Sequence, residues 1–466
     1  MFKYFPHTET DVQEMLKVVG VKSLDELYSE VPDELKYKGD LQIPEALSEE
    51  EVRNVLKSFA DENIPLACFA GFGTYDHITP SVIPYLASRS EFSTSYTPYQ
   101  AEISQGTLQY IFEYQSLMAD LTGLDVSNAS MYDGATATAE AMLMCVANAK
   151  KRNKVLISST FRPQILDVVK TYAHFHGVEL IEVPELDGET NKAEALTLVA
   201  QDDVAGLIVP QHNKYGVIED LSGLAEECHA HKTLFVVNSI ASDLGVLKTP
   251  GEWGADIACG DAQSLGIPMN FGGPYIGYLC VKNELVRKMP GRLVGATTDA
   301  NGQRAFVLTL QAREQHIRRE KATSNICTAQ GYMCLHVAAY LSLMGPTGLR
   351  EVNELGFSGA HYLHDELLKT GFFADKFADK TYLNEFTLRF ADETIEPDNF
   401  IRYMTSEGIL AGVKAGEHEI TIAVTEKYTK EDLDNYVEVV NEWKNKATEF
   451  PLAGSDSEKA HNDVNE

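Results

Sequence analysis

Between Gly254 and Gly277 the chain runs GADIACGDAQSLGIPMNFGGPYIG. Asp256 to Cys259 has the length and apolar character of a short buried strand, and Tyr275 to Val281 reads as a second. A polar elbow lies between them, with Gly260, Asp261, Gln263 and Ser264, followed by the glycine turn Phe271-Gly272-Gly273-Pro274. The carboxyl ends of parallel strands open onto a crevice, so polar side chains at such an end are candidates for binding a ligand. No lysine occurs between Lys248 and Lys282.

Upstream of the elbow, strand-like and helix-like runs alternate. Strands are expected at Val155 to Ser158, Val178 to Val183, Gly206 to Val209 and Thr233 to Val237, the last in the strand-end stretch Leu234 to Ser239 (LFVVNS). Helices are expected at Pro163 to Phe175, around Ala193 to Ala200, and at Leu221 to His231. That order implies right-handed crossovers and a mostly parallel sheet. Further back, Leu108, Ile111, Phe112, Tyr114, Leu117, Met118 and Leu121 have helical spacing, which is the mark of a core helix. Met131 to Glu140 (MYDGATATAE) opens another helix, which runs to about Lys150. Its glycine and small residues either receive a phosphate at the helix N-terminus or let the helix pack closely.

Residues 1–60 hold three amphipathic patterns, starting at Thr8 or Thr10, at Ser23 through Glu30, and at Ser48, whose pairing with Glu51 makes a capping box. Beyond the elbow, Cys327 to Leu368 reads as helix with a break at Gly345-Pro346. A strand at Phe386 to Phe390, a helix at Pro397 to Met404, a strand at Glu419 to Val424 and a helix at Lys430 to Trp443 follow. Residues 452–466 are polar and poor in apolar groups, as expected of a disordered tail.

Of the 466 residues, 39 are basic and 69 acidic, a net charge of -30 that argues against wrapping a phosphate backbone. No run approaches the ~20 apolar residues of a membrane helix, and residues 1–16 hold no long apolar stretch, so neither export nor membrane insertion is expected. The seven cysteines are scattered, without CxxC spacing, as expected of buried thiols in a reducing cytoplasm.

Two loops are dense in chemistry. Gly71-Phe72-Gly73-Thr74-Tyr75-Asp76-His77 and Tyr96 to Gly106 (YTPYQAEISQG) combine glycine, tyrosine and hydrogen-bonding side chains, either for function or as packing loops. His212, in VPQHNKYGVIED, sits at a strand end and is read as a solvated loop histidine without a catalytic role. Pro290 to Gly295 (PGRLVG) and Arg313 to Asn325 (REQHIRREKATSN) form the basic segments, the latter also readable as a helix surface balanced by Glu314 and Glu320.

Together these stretches resemble the glycine dehydrogenase (decarboxylating) family, the P-protein of the glycine cleavage system, nearly to residue 448. The one change in YTPYQPEISQG is Ala101 in place of proline. The resemblance implies a pyridoxal-phosphate-dependent transferase-like α/β fold (aspartate aminotransferase, fold type I), with a mostly parallel large-domain sheet and a smaller α+β C-terminal domain. The expected divisions are an N-terminal helical arm over 1–60, a large α/β domain over 61–326, a linking helix and small α+β domain over 327–448, and a disordered acidic tail over 449–466.

In the catalytic chains of this family a lysine five residues ahead of a proline captures the cofactor aldehyde; counting back from Pro268 reaches Gln263. Such folds also place an aspartate against the pyridine nitrogen, where this chain has Asn238. Lacking both groups, the chain resembles the non-catalytic subunit 1, or α chain, of two-subunit P-proteins. The resemblance then implies a lysine-bearing subunit 2 that binds pyridoxal phosphate, glycine as substrate, and a lipoyl H-protein that accepts the aminomethyl group. Tyr96, Thr97, Tyr99, Gln100 and Arg292 are the residues expected to complete the partner's catalytic site. Thr323, Ser324 and Asn325 are expected to reach the partner's cofactor phosphate across the interface. Two other classes stay open: an autonomous enzyme using Lys214 or Lys248, and a purely structural pseudoenzyme.

Overall fold

The computed structural model describes residues 6–446 apart from 40, 150, 271 and 323, with only the backbone of 444–446. The expected acidic tail, Thr323 and Phe271 of the glycine turn lie outside the described residues. By its contacts the chain divides into residues 1–64 and residues 65–466.

The first unit carries α1 (Glu9–Val19) and α2 (Glu49–Asp61). Each starts at a capping box, Thr8 with Asp11 and Ser48 with Glu51, where the paired side chains satisfy amides that have no partner within the helix. Between them, the helix expected from Ser23 is a five-residue 3-10 turn, Leu24–Tyr28. Ser23 forms no side-chain cap there, and Pro32 follows one turn later, so nothing stabilises a longer helix.

The second unit is built on seven strands: β1 (Val126–Ser127), β2 (Lys154–Ser158), β3 (Glu179–Val183), β4 (Val204–Pro210), β5 (Leu234–Asn238), β6 (Ile257–Asp261) and β7 (Gly277–Val281). Their order is β1-β7-β6-β5-β4-β2-β3. The pairs from β3 across to β6 are parallel, and β7 and β1 run antiparallel at one edge. Alternate side chains of the central strands feed two cores, as the two-residue strand period demands. Val155, Ile157, Ile208 and Val236 pack with residues of α3 (Gly134–Ala149) and α4 (Pro163–His176). Leu156, Leu207, Val209 and Phe235 pack on the other face with α5 (Lys192–Val199) and α6 (Leu224–Ala230). Burial on both faces explains the unbroken apolar runs that made these strands readable.

A hairpin, Leu293–Thr298 with Arg304–Thr309, stands apart from the large sheet and was not anticipated. Its two strands alternate weakly, and its position depends on side-chain clamps described below. The expected long helix spans Gly331–Lys369, with Gly345 non-helical at φ 60° just before Pro346. Beyond it, Phe373–Asp375, Glu385–Phe390, Glu419–Ala423 and Val413–Gly416 form a four-stranded antiparallel sheet in that order. With helices Pro397–Ser406 and Lys430–Lys446, this sheet encloses its own core around Phe390, Phe400 and Tyr436.

Candidate functional site

The elbow after β6 is filled by the chain itself. Gln263, buried at 1% exposure, receives the Tyr75 N–H on its Oε1 at 3.1 Å, and its Nε2 donates to the carbonyls of Tyr75 (3.1 Å) and Ile267 (2.7 Å). The amide thus ties the elbow to the Gly71-to-His77 loop. Asn238, at the end of β5, donates to the Thr138 hydroxyl at 2.9 Å, and Thr138 donates to the Gly134 carbonyl at 2.7 Å.

The N-terminus of α3 is already capped by carboxylates. Asp261 accepts from the Gly134 N–H at 3.2 Å and from Gln263 N–H at 2.7 Å, while Asp133 accepts from Thr136 N–H at 2.7 Å. The packing alternative for Gly134 is the one realised, because a Cβ there would lie 2.8 Å from the Asp261 nitrogen. Burial pushes the Asp261 carboxyl up to about 7 in spite of the two N–H donors.

Beside the elbow, a buried charge network joins residues far apart in sequence. Glu385 accepts from Arg162 Nη2 at 2.9 Å and from the Tyr75 hydroxyl at 3.1 Å, and takes the Phe72 N–H as well. His212 is not solvated but almost fully buried, with Nδ1 2.7 Å from Asp243 and Nε2 3.3 Å from Glu385. Burial alone raises a carboxyl, yet Arg162 and His212 hold Glu385 down at about 2. Burial opposes charge on His212, and the hydrogen bond to Asp243 with the close Glu385 carboxylate outweighs that and raises it. Arg162, Asp243 and Glu385 escaped the sequence reading. The one signal available was a glutamate at the start of a strand, Glu385–Phe390, whose polar positions alternate with the apolar Phe386, Leu388 and Phe390.

The other sequence-predicted residues gather at a second place. A cavity of about 460 Å³ is lined by Tyr96, Pro98, Tyr110, Arg292, Gln330 and Tyr332, among others. Arg292 Nη2 donates to the Tyr99 hydroxyl at 3.3 Å, and the guanidinium lies 5.4 Å from the centre of that ring. Its Nε stands 3.6 Å from Glu314. Thr97 and the exposed Gln100 belong to the same loop but do not line the cavity.

Two glutamines fix the cavity wall. Gln115 clamps both backbone groups of Val294 (3.0 and 2.9 Å), and Gln105 clamps those of Phe306 (2.9 and 2.8 Å), holding the 293–309 hairpin on the helix Gln105–Thr122.

Ser324 and Asn325 fold back on their own chain. The Ser324 hydroxyl accepts the Ile326 N–H at 3.1 Å, and burial pushes the nearby Glu140 carboxyl up to about 7. Lys214 contacts Glu185 and the Ser159 carbonyl, each at 3.0 Å, and Lys248 lies 3.8 Å from the centre of the Trp253 ring.

The family model described as Glycine cleavage system P-protein matches residues 2–440. The chain belongs to the glycine cleavage system P-protein family. A relative from Geobacillus thermodenitrificans, described as probable glycine dehydrogenase (decarboxylating) subunit 1, is 46% identical over 446 residues, 94% of this chain and 98% of the relative. A protein with the same description from Listeria monocytogenes is 44% identical, covering 93% and 98%. A crystal structure of glycine decarboxylase (P-protein) of the glycine cleavage system, in inhibitor-bound form, superimposes with a TM-score of 0.87 at 42% identity, over 95% of this chain and all of that one. A glutamate decarboxylase from Lactobacillus brevis shares the fold at a TM-score of 0.67 and 13% identity, over 91% and 98% of the two chains.

This is the pyridoxal phosphate enzyme fold, but in this P-protein chain the residues at the elbow do not fit that cofactor. The amide of Gln263 is engaged at both ends, the helix amides already hold carboxylates, and Asn238 supplies no negative charge. Among the described residues, no helix is long and apolar enough to cross a membrane.

Proposed function

We propose that this chain is the lysine-free subunit of a two-chain glycine decarboxylase of the glycine cleavage system. Its partner is a lysine-bearing P-protein subunit that holds pyridoxal phosphate, decarboxylates glycine and passes the aminomethyl group to the lipoyl H-protein. Tyr96, Thr97, Tyr99, Gln100 and Arg292 serve the partner's catalytic site, and Thr323, Ser324 and Asn325 its cofactor phosphate. Cytoplasmic residence accompanies this role.

The observation that carries the reading is Gln263: the side chain at the elbow is an amide engaged on the Tyr75 backbone. The descriptions of the relatives as subunit 1 support a heteromer. When bound in the partner, pyridoxal phosphate supplies the electron sink for decarboxylation. This chain's residues then orient groups and exclude water from the shared site.

The test is release of labelled carbon dioxide from carboxyl-labelled glycine in the presence of pyridoxal phosphate and H-protein. The chain alone is expected to release none, and the chain mixed with its lysine-bearing partner to release it continuously. Turnover by the isolated chain would overturn the proposal.

A further inference from the structure

We infer that the cavity around Arg292 is a binding site for a small monocarboxylate, carried by this chain itself. The inference deepens the subunit reading, because it names the chemical group that Arg292 brings to a shared site.

Arg292 is only 5% exposed, and a guanidinium presents five N–H donors. Among the described residues its one hydrogen bond is the 3.3 Å contact with the Tyr99 hydroxyl, and Nε has no acceptor within hydrogen-bonding geometry. Leaving a buried cation with idle donors is costly, so the arrangement is completed by an acceptor that enters the cavity. A carboxylate matches the planar fork of a guanidinium with two parallel hydrogen bonds.

The charge balance selects a monoanion. Arg292 is the one cationic side chain among the residues that line the cavity, and Glu314 lies 3.6 Å from its Nε. A phosphate dianion would therefore meet a single cation that is already partly offset. The remaining walls suit a small organic body. Thr107 and Thr328 offer hydroxyls, Gln330 an amide, and Ile111, Val294 and Leu308 an apolar floor. A cavity of about 460 Å³ falls in the size range of ligand pockets, and the glutamine clamps hold its wall before any ligand arrives.

The full-length chain, free of its partner, should be titrated calorimetrically with acetate, glycine, glycinamide and inorganic phosphate. Saturable binding of acetate and of glycine is expected, with none for glycinamide, which lacks the carboxylate, and none for phosphate. Arg292→Gln should weaken carboxylate binding by about tenfold or more. Arg292→Lys, which keeps the charge and loses the fork, should weaken it by less. Should Arg292→Gln fail to fold, Thr107→Val serves instead, with a several-fold loss expected.

The inference is overturned if neither carboxylate binds, if glycinamide or phosphate binds as well as acetate, or if the variants bind like the parent chain. The titration involves no turnover and no partner. A null result therefore removes the carboxylate site and leaves the subunit reading intact, while decarboxylation by the chain alone would do the reverse.

Discussion

The elbow and the Arg292 cavity are two polar places in one chain that have been finished differently. In the network beside the elbow the buried charges are paired: Arg162 at 2.9 Å from Glu385, and His212 at 2.7 Å from Asp243 and 3.3 Å from Glu385. Gln263 and the amides at the start of α3 are engaged by the chain itself, and only Arg162 Nε and His212 Nε2 of the adjoining network lack a hydrogen-bond partner among the described residues. At the cavity, Arg292 and Glu314 face each other at 3.6 Å, and Arg292 Nε and Glu314 Oε2 lack hydrogen-bond partners among the described residues. The difference is one of closure: at the first place the chain's own side chains tie to one another, while at the second Arg292 lines an open cavity.

The largest effect should come from breaking the closed network. Glu385→Ala strands Arg162 and His212 in the interior, and a loss of about 3–5 kcal/mol is expected by urea denaturation, since removing one partner leaves the other charges buried and uncompensated. A loss below about 1 kcal/mol would mean that the elbow is as loosely tied as the cavity, and the contrast would fail.

Gln263→Lys comes next. It removes the amide hydrogen bonds to Tyr75 and Ile267, and a loss of about 2–3 kcal/mol is expected. It should capture no pyridoxal phosphate, because the amides at the start of α3 remain occupied by Asp133 and Asp261. Absorbance of a bound cofactor in this variant would show that one amine suffices to reopen the elbow.

The pH dependence sharpens the comparison further. Glu385 sits at about 2, below its ordinary 4.5, so its contribution to stability is complete above 4.5 and disappears as pH falls toward 2. Asp261 works in the opposite sense. Its folded value of about 7 exceeds the ordinary 3.8, so the folded state holds an extra proton between those values and loses stability as pH rises through that window. Asp261→Asn should flatten that decline, with the variant gaining on the parent chain from about pH 4 to about pH 7 in denaturation curves. An unchanged slope would show that Asp261 does not titrate there.

The smallest effect belongs to the open place. Tyr99→Phe removes the one side-chain hydrogen bond that Arg292 makes among the described residues, yet it should cost less than about 1 kcal/mol because Tyr99 is 51% exposed. A larger loss would mean that Arg292 is a structural anchor.

Much of this was legible in the sequence for a physical reason. Strands β2, β4, β5 and β6 are buried on both faces and read as apolar runs, and Thr8, Ser48 and the Gly345-Pro346 break announce helix boundaries through local chemistry. The missing amine at the elbow could be counted directly. What stayed hidden depends on partners remote in the chain. His212 reads as a loop residue until Glu385, from another sheet, closes over it. The 293–309 hairpin is held by Gln105 and Gln115, whose clamping role leaves no local pattern. Tyr96 and Arg292 could be singled out from their motifs, but their meeting at one cavity is a tertiary fact.

The central claim is that the amine of the working site comes from the partner chain. Borohydride reduction of the reconstituted pair with pyridoxal phosphate, followed by peptide mapping, tests it most directly. The label is expected on one lysine of the partner and on no peptide of this chain; a labelled lysine in this chain, such as Lys214 or Lys248, would contradict it.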